Sequence, residues 1–499
     1  MKIINYKLKN KVYKKGELLI PIIIFSAVAI IIMGGLINWT KTTVEANRQL
    51  LTRERAIQLA ESGIDYYRWH LAHDKTDYED GTGAPGPYIH DVFDKDGNVV
   101  GQYSLNIVPP ITGSTKVTIE STGTPAGSSI SRTIRVELAI PSLAKYAVAA
   151  NDVMRFGEGT EVFGPIHSNS GIRFDGLAHN LVTSAVPVYN DPDHENSDEF
   201  GVHTHVNIPP AVGVNELFRP LEAPPSQVEP RPDVFEVGRQ FPVPTIDFVG
   251  LTGNLANMKS DAQSNGRYFA SSGALGYHMV LKTNDTFDMY RVNNLEPTPN
   301  GCTLVMGQQG WGTWSIRSSN GETFLGNYQF PANGIVFVED HLWVNGQIDG
   351  ARLTIAAGRF PDNSAQRKSI TVNSDLLYSN YDGTDVLALI AQDNINAGLV
   401  SSNNLRIDAA LIAQNGRVGR YYYRPPSGGS NRCNPYHIRN EITLYGMIAT
   451  YDRYGFSYTD GTGYQTRNII YDANLLYGPP PSFPLTSDQY QIISWQEVI

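Results

Sequence analysis

From Leu18 to Ile37 the sequence is almost entirely Leu, Ile, Val, Ala, Met and Phe. A helix needs about 20 such residues to cross a bilayer, and this run just meets that length. Nothing after it breaks the helix before His73. Ala46, Leu50, Ile57, Ala60, Ile64, Tyr67 and Leu71 recur at three- and four-residue steps, with Arg53 the one polar interruption. That spacing predicts one apolar stripe on a continuing helix. Glu45, Arg48, Arg55, Glu61 and Arg68 occupy the opposite side. A membrane span fused to the stripe-bearing helix, about 55 residues in all, would be roughly 80 Å long, and Asp74 with the Gly81–Pro87 loop would end it.

Lys7, Lys9, Lys11, Lys14 and Lys15 precede the apolar run. Positive charge keeps its flank cytoplasmic, so the chain beyond Asn38 is expected outside the cell. The net charge is -10, and the first 16 residues hold six of the lysines. The exported remainder is therefore strongly acidic, which argues against nucleic-acid binding. The whole chain, at 499 residues, leaves room for two or three domains. Short Val, Ile, Tyr and Thr runs between Gly, Asn and Asp give an all-β texture. The two cysteines, Cys302 and Cys433, sit among turn residues. Outside the cytoplasm a disulfide between them is favoured over two buried thiols.

Three readings fit the N-terminus: a cleaved secretory signal, a plain signal anchor, or a leader ending in Lys14-Lys15-Gly16. The first does not need so long a run, and the second leaves the stripe unexplained. The basic leader ending in Gly16, the span after it, and Ala60-Glu61-Ser62-Gly63 on the following helix resemble type IV pilin-like proteins, in particular minor pilin and pilus-assembly proteins of the PilX family. The resemblance implies cleavage by a prepilin peptidase between Gly16 and Glu17. It also implies packing of the helix with other pilin-like subunits. Major pilins carry glutamate five residues after the cut, whereas this chain has Pro21 there.

Asp94-Lys95-Asp96-Gly97-Asn98 reads as a hairpin turn, since Asp-Gly favours the dihedrals such turns need. It lacks the bidentate acid that would complete a calcium loop. Strands are expected at Gln102–Val108, Lys116–Ser121 and Ser131–Leu138, each alternating buried and exposed residues. Beyond Ser142, Val153–Phe156, Val162–Ile166, Ile172–Phe174 and Leu181–Val182 begin nine or ten residues apart. Ile335–Val338, Leu353–Ile355, Ile370–Val372, Leu387–Ile390 and Leu405–Ile407 begin 17 or 18 apart. A second set, Leu342–Val344, Leu376–Tyr378 and Leu411–Ala413, trails them. Such a period favours a right-handed parallel β-helix over an antiparallel sandwich. Pro209–Pro244 reads as an irregular strap. Leu251–Asn265 reads as a helix with Leu255, Met258 and Ala262 on one face. Strands are expected at Tyr268-Phe269, Tyr277–Lys282 and Asp288–Val292. Pro242–Phe248, Asn265–Phe269, Gly334–Val338, Asp385–Asn394, Ile407–Gln414 and Ser494–Glu497 also resemble an uncharacterised extracellular region found behind PilX-like starts.

The fold class expected is mainly β. Residues 1–16 form a leader, 17–74 the transmembrane and amphipathic helix, and 75–141 a small antiparallel pilin-like sheet. Residues 142–208 and 331–499 form the two parts of a β-helix-like domain with C-terminal strands. Between them, 209–330 supply the strap and an inserted α+β segment.

Chemistry is sparse. Asp191, Asp193, His194, Glu195, Asp198, Glu199, His203 and His205 form the densest polar cluster. Alternate residues on a strand point the same way, so His203 and His205 could share a metal with an acid; calcium on the acids alone is a second option. A solvated acidic loop is the favoured reading, and no metal or cofactor is assigned. Asp375 and Asp393 are candidate paired acids for polysaccharide chemistry, with solvated turns favoured. Gly310–Trp314 and Tyr421–Tyr423 could stack on surface glycans or pack internally. His167 has no evident partner, and no catalytic or nucleotide motif stands out. The expectation is a non-catalytic, single-pass pilus-like subunit at the cell surface, engaged with the membrane, sister subunits and the peptidase. The competing reading is a membrane-tethered carbohydrate-active or carbohydrate-binding β-helix protein.

Overall fold

In a computed structural model the structure describes residues 18–193, 198–207, 222–248, 250–303 and 307–498. The protein is mainly β, with one long N-terminal helix, α1 (Leu19–His73). Its contacts divide it into two compact units. One comprises residues 1–108, 118–137 and 492–499, and the other 109–117 and 138–491.

In the first unit, the apolar start of α1 is bare: Phe25 is 75% and Ile31 73% exposed. Among the described residues this is the one helix long and apolar enough to cross a membrane. Where polar residues begin, the Thr40, Thr42 and Thr43 hydroxyls donate back to carbonyls four residues earlier, which satisfies them within the helix. The last turns behave differently. Ala56, Leu59, Ala60, Gly63, Ile64, Tyr67 and Leu71 are buried in the first unit's core. Leu59, Ile64 and Leu71 should each contribute about 1.5–3 kcal/mol by leaving water. The expected stripe is thus only partly used. Ala46 and Leu50 are exposed, because burial begins only at Ala56, and Leu59 and Gly63 join the buried face.

The sheet of this unit contains β1 (Tyr88–Phe93), β2 (Val99–Val108), β3 (Val117–Pro125) and β4 (Arg132–Ala139), with Gln491–Val498 beside β4. The β1–β2 and β2–β3 pairs are antiparallel. The hairpin turn forms at Asp94, whose Oδ1 accepts from the Asp96 and Asn98 backbone N–H groups at 2.9 and 2.8 Å. Gly97 holds φ 84° there, a conformation that suits glycine. The closing strand sits with the first unit, not with the β-rich part that precedes it in sequence.

Parallel pairing dominates the second unit, in an arrangement consistent with a β-helix-like domain. One ladder runs through Ile335–Val338, Arg352–Ala357, Val386–Ala391 and the end of Asn404–Ala413 to the end of Ile438–Thr450. It continues through Val148–Ala150 and Ile166–Ser168 to Val182–Ser184. Leu353, Ile355, Leu387, Leu389, Leu411, Ile448 and Val148 face the main core. Alternate residues such as Ala356, Ala388, Ile390, Ile412 and Ala449 face a second buried cluster, which also holds Leu255, Met258 and Ala262 of α2 (Gly250–Ser264). Burial on both faces explains continuous apolar runs such as Val386–Ala391.

The periodic strand starts do not all lie on one ladder. Ile370 pairs with Leu342 and Ile395 on a second ladder, away from Leu353 and Leu387. Leu405–Ile407 belong to a third, against Ile442–Leu444. Counting apolar runs cannot tell one ladder from the next, because the strands of all three carry buried apolar residues. Val162–Ile166 likewise is two strands. Thr160–Phe163 pairs with Arg467–Ile470, and Ile166–Ser168 pairs with Val148–Ala150. The corner falls at Gly164-Pro165. At Gly164 a Cβ would come within 2.7 Å of that of Ala147. An antiparallel meander, Gly276–Leu281, Thr286–Val292 and Glu322–Gln329, is inserted and joins Leu342–Ile348 in parallel.

Candidate functional site

Gly16 and Glu17, the expected processing residues, lie outside the described residues, as do His194 and Glu195. Asp375 and Asp393 are not brought together: they line different depressions. Asp375 accepts from the Arg406 backbone N–H, and Asp393 accepts from Ser369 Oγ and Asn394 Nδ2. Asp393 lines a groove of about 1110 Å3 with Asp152, Asp452, Trp314 and Tyr421. Burial raises the Asp452 carboxyl, and the charges of Asp152 and Asp393 raise it further.

The aromatic runs are mostly internal. Tyr421 and Tyr423 are buried in a small core around the Cys302–Cys433 disulfide, with Trp311 and Trp314 packed against it. Tyr423 donates its hydroxyl to Gly312 O at 2.9 Å and Trp311 donates Nε1–H to Tyr422 O at 3.1 Å. His167 also has partners, Thr183 Oγ1 at 3.1 Å and Asn169 Oδ1 at 3.2 Å.

The 191–205 segment departs most from expectation. Asp191, Glu199, His203 and His205 are all buried, and one ligand atom from each lies within 4.8 Å of all the others. A solvated acidic loop is therefore ruled out for these four. Asp191 follows the strand Val188–Asn190, which pairs antiparallel with Asp198–Phe200 and so brings Glu199 back towards it. Val202-His203 then pairs in parallel with Ile172-Arg173. The two-residue step carries both imidazoles to one side, with ring centroids 5.2 Å apart. His203 Nε2 is 2.7 Å from Glu199 Oε2 and 3.6 Å from Asp191 Oδ2, while His205 Nε2 is 3.1 Å from Glu199 Oε1.

Surrounding groups hold these side chains in place. The Asp193 N–H donates to Asp191 Oδ1 at 2.9 Å, and the His205 N–H donates to Asp175 Oδ1 at 2.9 Å. Asp175 itself forms a fully buried pair with Arg173 at 2.7 Å. Asp193 turns away to Arg155 and Arg453. Burial opposes ionisation of Asp191 and Glu199, but the adjacent imidazoles outweigh it and bring both carboxyls to about 2. Burial likewise opposes charging His203, yet Asp191 and Glu199 raise it. Two anionic carboxylates and two imidazoles without solvent are a donor set suited to a divalent transition-metal ion. The spacing of Glu199, His203 and His205 was visible in sequence. The return of Asp191 and the buried Arg173–Asp175 support were not, because both depend on strand pairing.

No protein-family model matches the chain, and no curated protein matches it in sequence. Among solved structures it is similar to the competence-associated pilin ComZ from Thermus thermophilus, at 13% identity and TM-score 0.28, over 90% of this chain and 98% of that one. A likeness at that level does not establish a shared fold.

Proposed function

We propose that the protein is a non-catalytic, pilin-like minor subunit of the PilX kind, held in the membrane by α1 and carrying a large acidic β domain outside the cell. The observation behind this reading is the division of α1. Its apolar first segment is bare over about the length of a bilayer, while its last turns are buried in the first unit, whose sheet is antiparallel. A plain anchor needs only the first of these features. In this reading the cytoplasmic leader is cut after Gly16 by a prepilin peptidase, and the freed helix packs with the helices of other pilin-like subunits. The β-rich part is read as a right-handed parallel β-helix that serves assembly and surface adhesion.

Photocrosslinking from Phe25 and Ile31, both bare in the monomer, tests the packing. Adducts to the N-terminal helices of other pilin-like proteins are expected. Adducts confined to lipid would overturn the assembly role and leave a simple anchor.

A further inference from the structure

We propose that Asp191, Glu199, His203 and His205 bind one zinc ion, which fixes the end of the parallel stack. Two observations meet here. The first is geometric: four potential ligand atoms from two carboxylates and two imidazoles lie within 4.8 Å of one another, all buried. Zinc holds His nitrogen and carboxylate oxygen at about 2.0–2.2 Å, so opposed ligands sit roughly 4 Å apart at most. Small side-chain movements close the cluster onto an ion.

The second observation concerns hydrogen bonding. His203 is fully buried, yet among the described residues neither of its ring nitrogens has a partner in hydrogen-bond geometry, and Asp191 Oδ2 has none either. His203 Nε2 lies against Glu199 Oε2 and Asp191 Oδ2 without the direction of a hydrogen bond. Leaving the buried His203 Nδ1 unsatisfied costs about 1–3 kcal/mol. Two carboxylate oxygens that converge on one imidazole nitrogen at 2.7 and 3.6 Å, out of hydrogen-bond geometry, fit ligands of a common cation.

The donor set selects among ions. Calcium and magnesium take oxygen ligands, and two imidazoles turn the preference to a transition ion. Four protein ligands without solvent access make a closed site of the structural kind. Its position gives the ion a task. Among the described residues Val202-His203 is the end strand of the ladder through Met154–Phe156 and Ile172–Phe174. Among the described residues the neighbouring ladder ends shortly beyond Val182–Ser184, at Arg239-Gln240. The end of a parallel stack exposes strand edges and core, and needs a cap. An ion joining Asp191, Glu199, His203 and His205 ties the hairpin and the last strand into one such cap.

The test uses the full chain in detergent. After chelation and dialysis against zinc, elemental analysis should find one zinc per chain. His203→Ala and Glu199→Gln should each lose it, while Asp198→Asn, outside the cluster, should keep it. Chelation should lower Tm and open the segment around residues 186–207 to protease, with zinc restoring both. If the variants fail to fold, cobalt added to the wild-type apoprotein decides instead. An intense visible spectrum of the tetrahedral type is expected, and the weak spectrum of hydrated cobalt would overturn the proposal. Stoichiometric zinc that persists in His203→Ala, calcium in its place, or no bound metal would overturn it equally.

Discussion

Ile448 pairs in parallel with Val148, so a strand late in the chain lies directly on the strand that opens the second unit. Arg467–Ile470 repeat the relationship against Thr160–Phe163. The stack is therefore not laid down in sequence order: its middle joins residues far apart along the chain. Ile448 is 1% and Val148 0% exposed. Ile448→Ala should cost about 2–5 kcal/mol. Hydrogen exchange should show residues 148–184 and 386–450 losing protection together. Independent opening of the two halves would contradict the pairing.

Arg420 is buried, and among the described residues no carboxylate pairs with it. Its guanidinium donates to the carbonyls of Gly398, Leu399 and Tyr436 and to Ser401 Oγ, with the Tyr423 ring 4.7 Å away. Arg420→Met leaves those acceptors dry and should destabilise by at least about 3 kcal/mol. Arg420→Lys should recover little, because a point charge cannot reach both sides as the planar fork does. Urea denaturation of the two variants measures this.

Asp340 gives a pH dependence. Burial works to raise its carboxyl, but hydrogen bonds from the Ser272 hydroxyl and N–H and the Lys368 charge hold it below the usual range. A group lowered on folding contributes stability that is present above its unfolded pKa and is lost as pH falls through its folded pKa. Asp340→Asn should be less stable than wild type by about 1–3 kcal/mol at neutral pH. The gap should narrow below about pH 4. A gap that stays constant into acid would show that the carboxylate charge contributes nothing.

Gly123 sets how closely α1 meets its sheet. A Cβ there would lie 2.1 Å from Ala56 O and 2.5 Å from Ala60 N, both backbone atoms. Gly123→Ala should force helix and sheet apart and cost about 1–3 kcal/mol, read as earlier thermal unfolding of the first unit alone.

The Cys302–Cys433 disulfide closes a sequence separation of 131. In the chain-entropy account so long a loop is worth about 4–5 kcal/mol. Cys302→Ser should lower the denaturant midpoint accordingly and loosen the aromatic core around Tyr421 and Tyr423.

Local signals were legible in the sequence. The apolar run and its helical continuation, the Asp94–Asn98 turn, the α2 face of Leu255, Met258 and Ala262, and most strand positions follow from periodicity and turn chemistry. Assignment of strands to ladders did not follow, since Ile370 and Leu387 look alike in sequence but lie on different ladders. The 191–205 cluster failed for a related reason. Its residues are those of a solvated loop by composition, and only the pairing of Val188–Asn190 with Asp198–Phe200 buries Asp191 and Glu199 beside the histidines.

The pilin-like reading of α1 is tested most directly by the mass of the mature N-terminus in protein purified from its native membrane. A chain beginning at Glu17, with or without a methyl group on its amine, is the predicted result. A chain that retains Met1 and the lysine leader would contradict it.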